Sequence, residues 1–159
     1  AERAASTSLP KVDYERVAVE MDGLKGFLES KNGAVASSGI RGELRKTMWS
    51  CVGVIRNKDG LEKALDRIKS LSEELPKIQA QGISDLAQAV EVSSMLKVAE
   101  MIARSALIRS ESRGAHYRQD FPEEDNKGWL KNTVVYEAGG LMKIDLTDAV
   151  LTTLRPSQS

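Results

Sequence analysis

Hydrophobic positions recur at three- and four-residue steps along most of the chain, which is the spacing of one face of an α-helix. From about Asp13 to Ser30, after Pro10, that face would hold Val17, Met21, Leu24 and Leu28, interrupted by Gly23 and Gly26. A small polar loop, Lys31 to Gly39, leads to a second predicted helix from about Ile40 to Arg56. There Ile40, Leu44, Met48, Cys51 and Ile55 share a stripe, with Gly53 weakening it. Asn57-Lys58-Asp59-Gly60 reads as a turn, with Asp59 as N-cap and Glu62 in capping-box position. Leu61, Leu65, Ile68, Leu71, Leu75 and Ile78 give the most regular period, and Pro76 predicts a break because it removes a donor and crowds the preceding turn. Ile83, Leu86, Val90, Val98, Ile102 and Ala106 then predict a long helix to about Ser110.

Beyond residue 130 the period changes. Thr133, Val134, Val135 and Tyr136 precede Gly139-Gly140, and Leu141, Lys143 and Asp145 then alternate with Met142, Ile144 and Leu146. Two strands around a glycine turn read as a hairpin. A lone hairpin is marginally stable, so it must lean on the helices or on another chain. The expected fold is mainly α: an antiparallel bundle of three to four helices with a short C-terminal β-hairpin. Residues 12–112 would form the bundle, and 113–159 a loop, the hairpin and a loose tail packed on it.

Composition narrows the function. With 23 basic and 23 acidic residues the formal net charge is zero, so nothing resembles the cationic surface that nucleic acids require. One cysteine, Cys51, excludes an internal disulfide and fits a reducing compartment. No apolar run approaches the roughly 18 residues of a membrane span, and the N-terminus lacks a signal-peptide order. A cytosolic chain without membrane insertion is expected. The opening AERAASTSLPK has no methionine and reads as a helix end running into a linker, residues 1–11, as in a piece of a longer protein.

No complete active site emerges. A nucleophile–base pair would have to join Cys51 to the single histidine, His116, through folding; zinc ligands, a calcium loop and a glycine-rich phosphate turn are all missing. What stands out is SESRGAHYRQDFPEEDNKGWL, residues 110–130, where charges crowd together without an apolar period. Arg104, Arg109, Arg113 and Arg118 fall at the end of the long helix, where cations suit the helix dipole. One reading makes them capping charges and surface pairs. The other has Ser112-Arg113-Gly114 as a tight helix exit, with Gly114 left-handed, aiming Arg113 and His116 at a partner surface.

The order of those residues is that of a known family. Glu111 to Thr133, ESRGAHYRQDFPEEDNKGWLKNT, resembles the C-terminal signature of the flavoprotein subunit of succinate dehydrogenases and fumarate reductases. That signature is an Arg-Gly-Ala-His run, then Asp-Phe-Pro or Asp-Tyr-Pro, an acidic pair, and Trp before a hydrophobic and a basic residue. Leu44 to Leu65, LRKTMWSCVGVIRNKDGLEKAL, is similar to the family's Met-Trp, Val-Gly and Gly-Leu segment. KIDL and the later LRP resemble its last strand, and Arg3-Ala4-Ala5 the end of its flavin domain. L-aspartate oxidase, which shares Glu-Ser-Arg-Gly, ranks second because Trp129, Leu130 and Lys131 follow the respiratory pattern; adenylylsulfate reductase is third.

The resemblance implies a spectrin-like helical C-terminal domain of a longer FAD enzyme. Its flavin, proton donor and dicarboxylate site would lie in FAD-binding and capping domains absent here. No catalytic, cofactor-binding or metal-binding residue carries over, and this chain alone should bind no FAD. Its expected role is docking to those domains and to the iron-sulfur subunit, in the cytoplasm or at the inner face of the cell membrane through the larger complex. Arg113, His116, Arg118 and Trp129 are the candidate contacts. The alternative class is a free-standing helical interaction module.

Overall fold

Large aliphatic side chains fix the centre of the molecule. In the computed structural model, which describes residues 11–30 and 35–150, helix α1 spans Tyr14–Glu29, α2 Ser37–Cys51, α3 Lys58–Glu74 and α4 Ile83–Ile108. Helices α2, α3 and α4 pack on one another, and α1 lies against α4 and the turn after α3. The core unites Ile40 and Leu44 of α2, Leu61, Ile68 and Leu71 of α3, Ile78, and Val92 and Leu96 of α4. Two ion pairs tie the outside of this unit, Arg41 to Glu91 at 2.6 Å and Arg67 to Glu43 at 3.2 Å.

The expected mainly α fold with a C-terminal hairpin is present. Pro76 does break the third helix: α3 stops at Glu74 and a single 3₁₀ turn, Leu75–Lys77, follows. Strands β3, Lys131–Ala138, and β4, Leu141–Asp148, pair antiparallel from Lys131↔Asp148 to Ala138↔Leu141. Gly139 and Gly140 make the turn at φ of 63° and 74°, a conformation that costs other L-residues energy. Strand β3 packs against α4, and Met142 and Ile144 face Leu65 of α3 and Leu107 of α4 across a shared cleft, so the hairpin rests on the bundle.

Four expectations need correction. Helix α2 ends at Cys51 instead of Arg56; Ile55 is exposed and, with Arg56, forms a two-residue strand β1 paired in parallel with β2, Tyr117–Arg118. The break falls beside Gly53, the poorest helix former of that segment. The N-cap of α3 is Asn57, not Asp59: its Oδ1 accepts from the Gly60 amide at 2.9 Å, and Asp59 sits in the first turn.

The other two concern which face is buried. On α4 the inward residues are Ala89, Val92, Leu96, Ala99, Ala103 and Ala106, whereas Ile83, Val90, Val98 and Ile102 are exposed. Alanines let the helix approach its neighbours closely, and close approach selects the face. On α1, Val17, Met21 and Leu28 are likewise exposed, and Phe27 makes the contact with the core. The expected helix end at Glu2–Ala5, the loop at 31–34 and the loose tail from 151 lie outside the described residues.

Candidate functional site

The last turn of any helix leaves backbone carbonyls without partners. At the end of α4 they are met by Arg118, whose Nη1 donates to the carbonyls of Ala106, Leu107 and Arg109 at 2.8, 3.1 and 2.9 Å. The rest of its guanidinium forks onto Asp120, Nε to Oδ1 at 2.8 Å and Nη2 to Oδ2 at 2.7 Å. Arg118 is 1% exposed, and it stacks on Phe121 with 5.0 Å to the ring centre. The Arg118 fork holds the Asp120 carboxyl down at about 2. Asp120 in turn accepts the amide of Lys58 at 3.0 Å, so one carboxylate locks the start of α3 to the end of α4.

A second hub forms around Glu111, which is fully buried. It accepts from Arg113 Nε at 2.9 Å and Nη2 at 3.0 Å, from the Asp125 amide at 2.9 Å, and from Arg109 Nη1. Burial pushes its pKa up, but the Arg113, Asp125 and Arg109 hydrogen bonds win and the net shift is downward. Arg113 also pairs with Glu124 and donates to Asn126 Oδ1 at 2.9 Å. Trp129 donates through Nε1 to Ser110 Oγ at 2.9 Å and lies 5.2 Å under the Arg109 guanidinium.

His116 belongs to neither hub. Arg56 Nη1 lies 2.7 Å from its Nδ1, and since a guanidinium only donates, Nδ1 accepts and the ring proton sits on Nε2. Burial first, then the Arg56 charge, hold its pKa below the ordinary value; Arg118 and Arg109 add to this, and the Arg109 carbonyl acts against it. Nε2 is nevertheless buried without closing a hydrogen bond among the described residues.

All four candidate contacts therefore lie within one connected segment, with Arg118 inside it, Arg113, His116 and Trp129 at its edge, and all four polar heads engaged within the chain. Helix α4 has ended six residues before Gly114, whose φ of 56° serves a tight turn closed by reciprocal Arg113–His116 backbone bonds. Arg56, Glu111 and Asp120 carry much of the geometry and were not among the candidates. An acidic residue two positions from one or two arginines, as in Arg109-x-Glu111-x-Arg113 and Arg118-x-Asp120, was the available signal.

The arrangement suits holding shape more than chemistry. No cluster of metal-binding side chains occurs among the described residues, and none of their helices is long and apolar enough to cross a membrane. Nor do the residues fit a flavin. Its diphosphate would need free amides at a helix start following a parallel strand, and at the single such place among the described residues, β1 into α3, the Lys58 and Gly60 amides are already taken by Asp120 and Asn57.

Fold and site together define a helical domain closed by an internal ion-pair network and a C-terminal hairpin. Residues 41–159 match the family described as fumarate reductase flavoprotein C-terminus, and the chain belongs to that family. It is 40% identical over 123 residues to an uncharacterised FAD-dependent oxidoreductase of Methanocaldococcus jannaschii, covering 77% of this chain and 21% of that one. It is 34% identical over 137 residues to the fumarate reductase flavoprotein subunit of Haemophilus influenzae, covering 82% and 23%. A structure of Escherichia coli quinol fumarate reductase superimposes with a TM-score of 0.86 at 29% identity, over 99% of this chain and 28% of that one. The chain thus spans about a quarter of the length of these proteins.

Proposed function

We propose that this chain is the C-terminal helical domain of a FAD-dependent succinate dehydrogenase or fumarate reductase flavoprotein subunit. It serves succinate/fumarate electron transfer by docking and performs no catalysis alone. Its partners are the FAD-binding and capping domains of the same subunit and the iron-sulfur subunit, in the cytoplasm and at the inner face of the cell membrane through the complex. The flavin belongs to those other domains. Residues 12–112 are the bundle, 113–159 the segment packed on it, and 1–11 the linker.

One observation carries this reading: polar and apolar groups have exchanged their usual places. Charged Glu111 and Arg118 are 0% and 1% exposed, whereas Trp49 and Ile83 are 88% and 89% exposed. Large apolar side chains left outside a rigid frame mark a surface that another chain segment covers. Arg113, His116, Arg118 and Trp129 contribute by fixing the shape of the 110–130 segment, which presents Tyr117 and Phe121, each 41% exposed, at its rim.

The experiment is R113A in the full-length flavoprotein. Assembly with the iron-sulfur subunit and fumarate-dependent turnover should fall while flavin content is kept. Unchanged assembly, stability and rate would return the segment to ordinary surface. The purified 159-residue chain should show no flavin absorbance.

A further inference from the structure

Arg56 is half-buried and faces no carboxylate among the described residues. Its Nε donates to the carbonyls of Gly53 at 2.6 Å and Val52 at 3.3 Å, and Nη1 to His116 Nδ1 at 2.7 Å; Nη2 makes no bond among the described residues. Burial lowers its pKa, and no acid among the described residues offsets that. An uncompensated guanidinium in such a position is costly, and a carboxylate from outside removes the cost. Three existing bonds already orient its fork, so little freedom is lost when an acid arrives.

The surroundings indicate what carries that acid. Arg56 lines a shallow groove of about 420 Å³ where α4, β3 and the β1–β2 corner meet, walled by Met101 and Ile102 of α4 and Val135 of β3. Among the described residues no aspartate or glutamate lines it, and the other guanidinium present, Arg109, is already matched by Glu111. The positive charge of the groove is that of Arg56: His116 accepts from it through Nδ1, and its depressed pKa favours the neutral ring, so it adds no charge of its own and helps orient the guanidinium. Too open to enclose a small acid, the groove suits a side chain delivered by a longer segment.

Resting on the docking reading above, we infer that this groove receives an aspartate or glutamate side chain borne on an apolar stretch of another polypeptide segment. Its carboxylate sits on the Nη1–Nη2 end of Arg56, and its apolar neighbours lie against Met101 and Ile102. Charge and surface are both complementary to such a segment, and a bidentate guanidinium–carboxylate pair fixes its register.

The test is an NMR titration of the methyl- and ¹⁵N-labelled chain with acetyl-Leu-Glu-Leu-amide and with its Gln counterpart, following the Met101 and Ile102 methyls and the Arg56 Nε–H. The Glu peptide should bind at least ~5-fold more tightly, as expected of a charge-assisted contact. R56Q should abolish the preference, and R56K, which keeps the charge without the fork, should reduce it. If R56Q does not fold, loss of the preference in wild type as salt rises takes its place. Equal affinity for both peptides overturns the inference. So does free propionate that matches the Glu peptide at equal concentration, which would make this a small-anion site. Should R113A impair assembly while the peptides bind equally, docking stands and this groove is not its contact.

Discussion

Arg118 Nη1 donates to the carbonyl of Ala106 at 2.8 Å, reaching back twelve residues to seal the end of the helix that precedes it. A side chain from downstream thus does the work that a glycine or a local turn does at most helix ends. Arg118→Met should destabilise the chain by about 3–5 kcal/mol, since it strands Asp120 and three carbonyls. Arg118→Lys keeps the charge, loses the fork, and should cost about half as much. Urea unfolding followed by circular dichroism reads both.

Acid should weaken the same lock. The folded Asp120 carboxyl lies at about 2 against an ordinary 3.8, so its stabilisation is fully present above pH 3.8 and is lost as pH falls toward 2. Because the side chain is 30% exposed, solvent screening leaves about 1 kcal/mol. Asp120→Asn should flatten the acid limb of the stability curve in that window.

His116 titrates with the same sign of effect at higher pH. Its folded pKa is depressed below 6.5, so the neutral ring contributes stability that is present above pH 6.5 and lost as pH falls through the folded value. Histidine ¹H–¹⁵N spectra should show a midpoint below 6.5 and the proton on Nε2. In His116→Gln, stability should be independent of pH across this range.

The alanine face of α4 offers a contrast between small and large residues. Ala103 is fully buried, and Ala103→Leu should cost about 1–3 kcal/mol by overpacking. Ile83, although large and apolar, is 89% exposed, and Ile83→Ala should change stability by less than about 0.5 kcal/mol. Thermal unfolding of the two variants decides which face of α4 is the packed one.

Legibility varied along the chain for physical reasons. The buried face of helix α3 is legible, although its N-cap is not, because its stripe is mostly large aliphatic residues, which give the strongest signal and here are also the buried ones. On α4 those properties separate: the buried residues are mostly alanines, which hardly register as hydrophobic, while the conspicuous Ile83, Val98 and Ile102 point outward. The ordering of the 110–130 motif carried the family. Its inward geometry was invisible because Arg118 binds backbone carbonyls, which every residue has and no pattern announces. Arg56 went unremarked because it sat inside a predicted helix that in fact ends at Cys51.

The smallest element of the fold sets the order in which it assembles. Strands β1 and β2 are two residues each and parallel, so α3 and α4 form the whole crossover between them, and Arg56 meets His116 across 60 residues. Closing so long a loop brings little return until the intervening helices have packed. The 110–130 segment is therefore expected to be fastened last and released first. Amide hydrogen exchange at Tyr117 and Gln119, which bind Val54 and Arg56 across that gap, should open at lower free energy than the α3–α4 core, making the family's most recognisable sequence the latch of its domain.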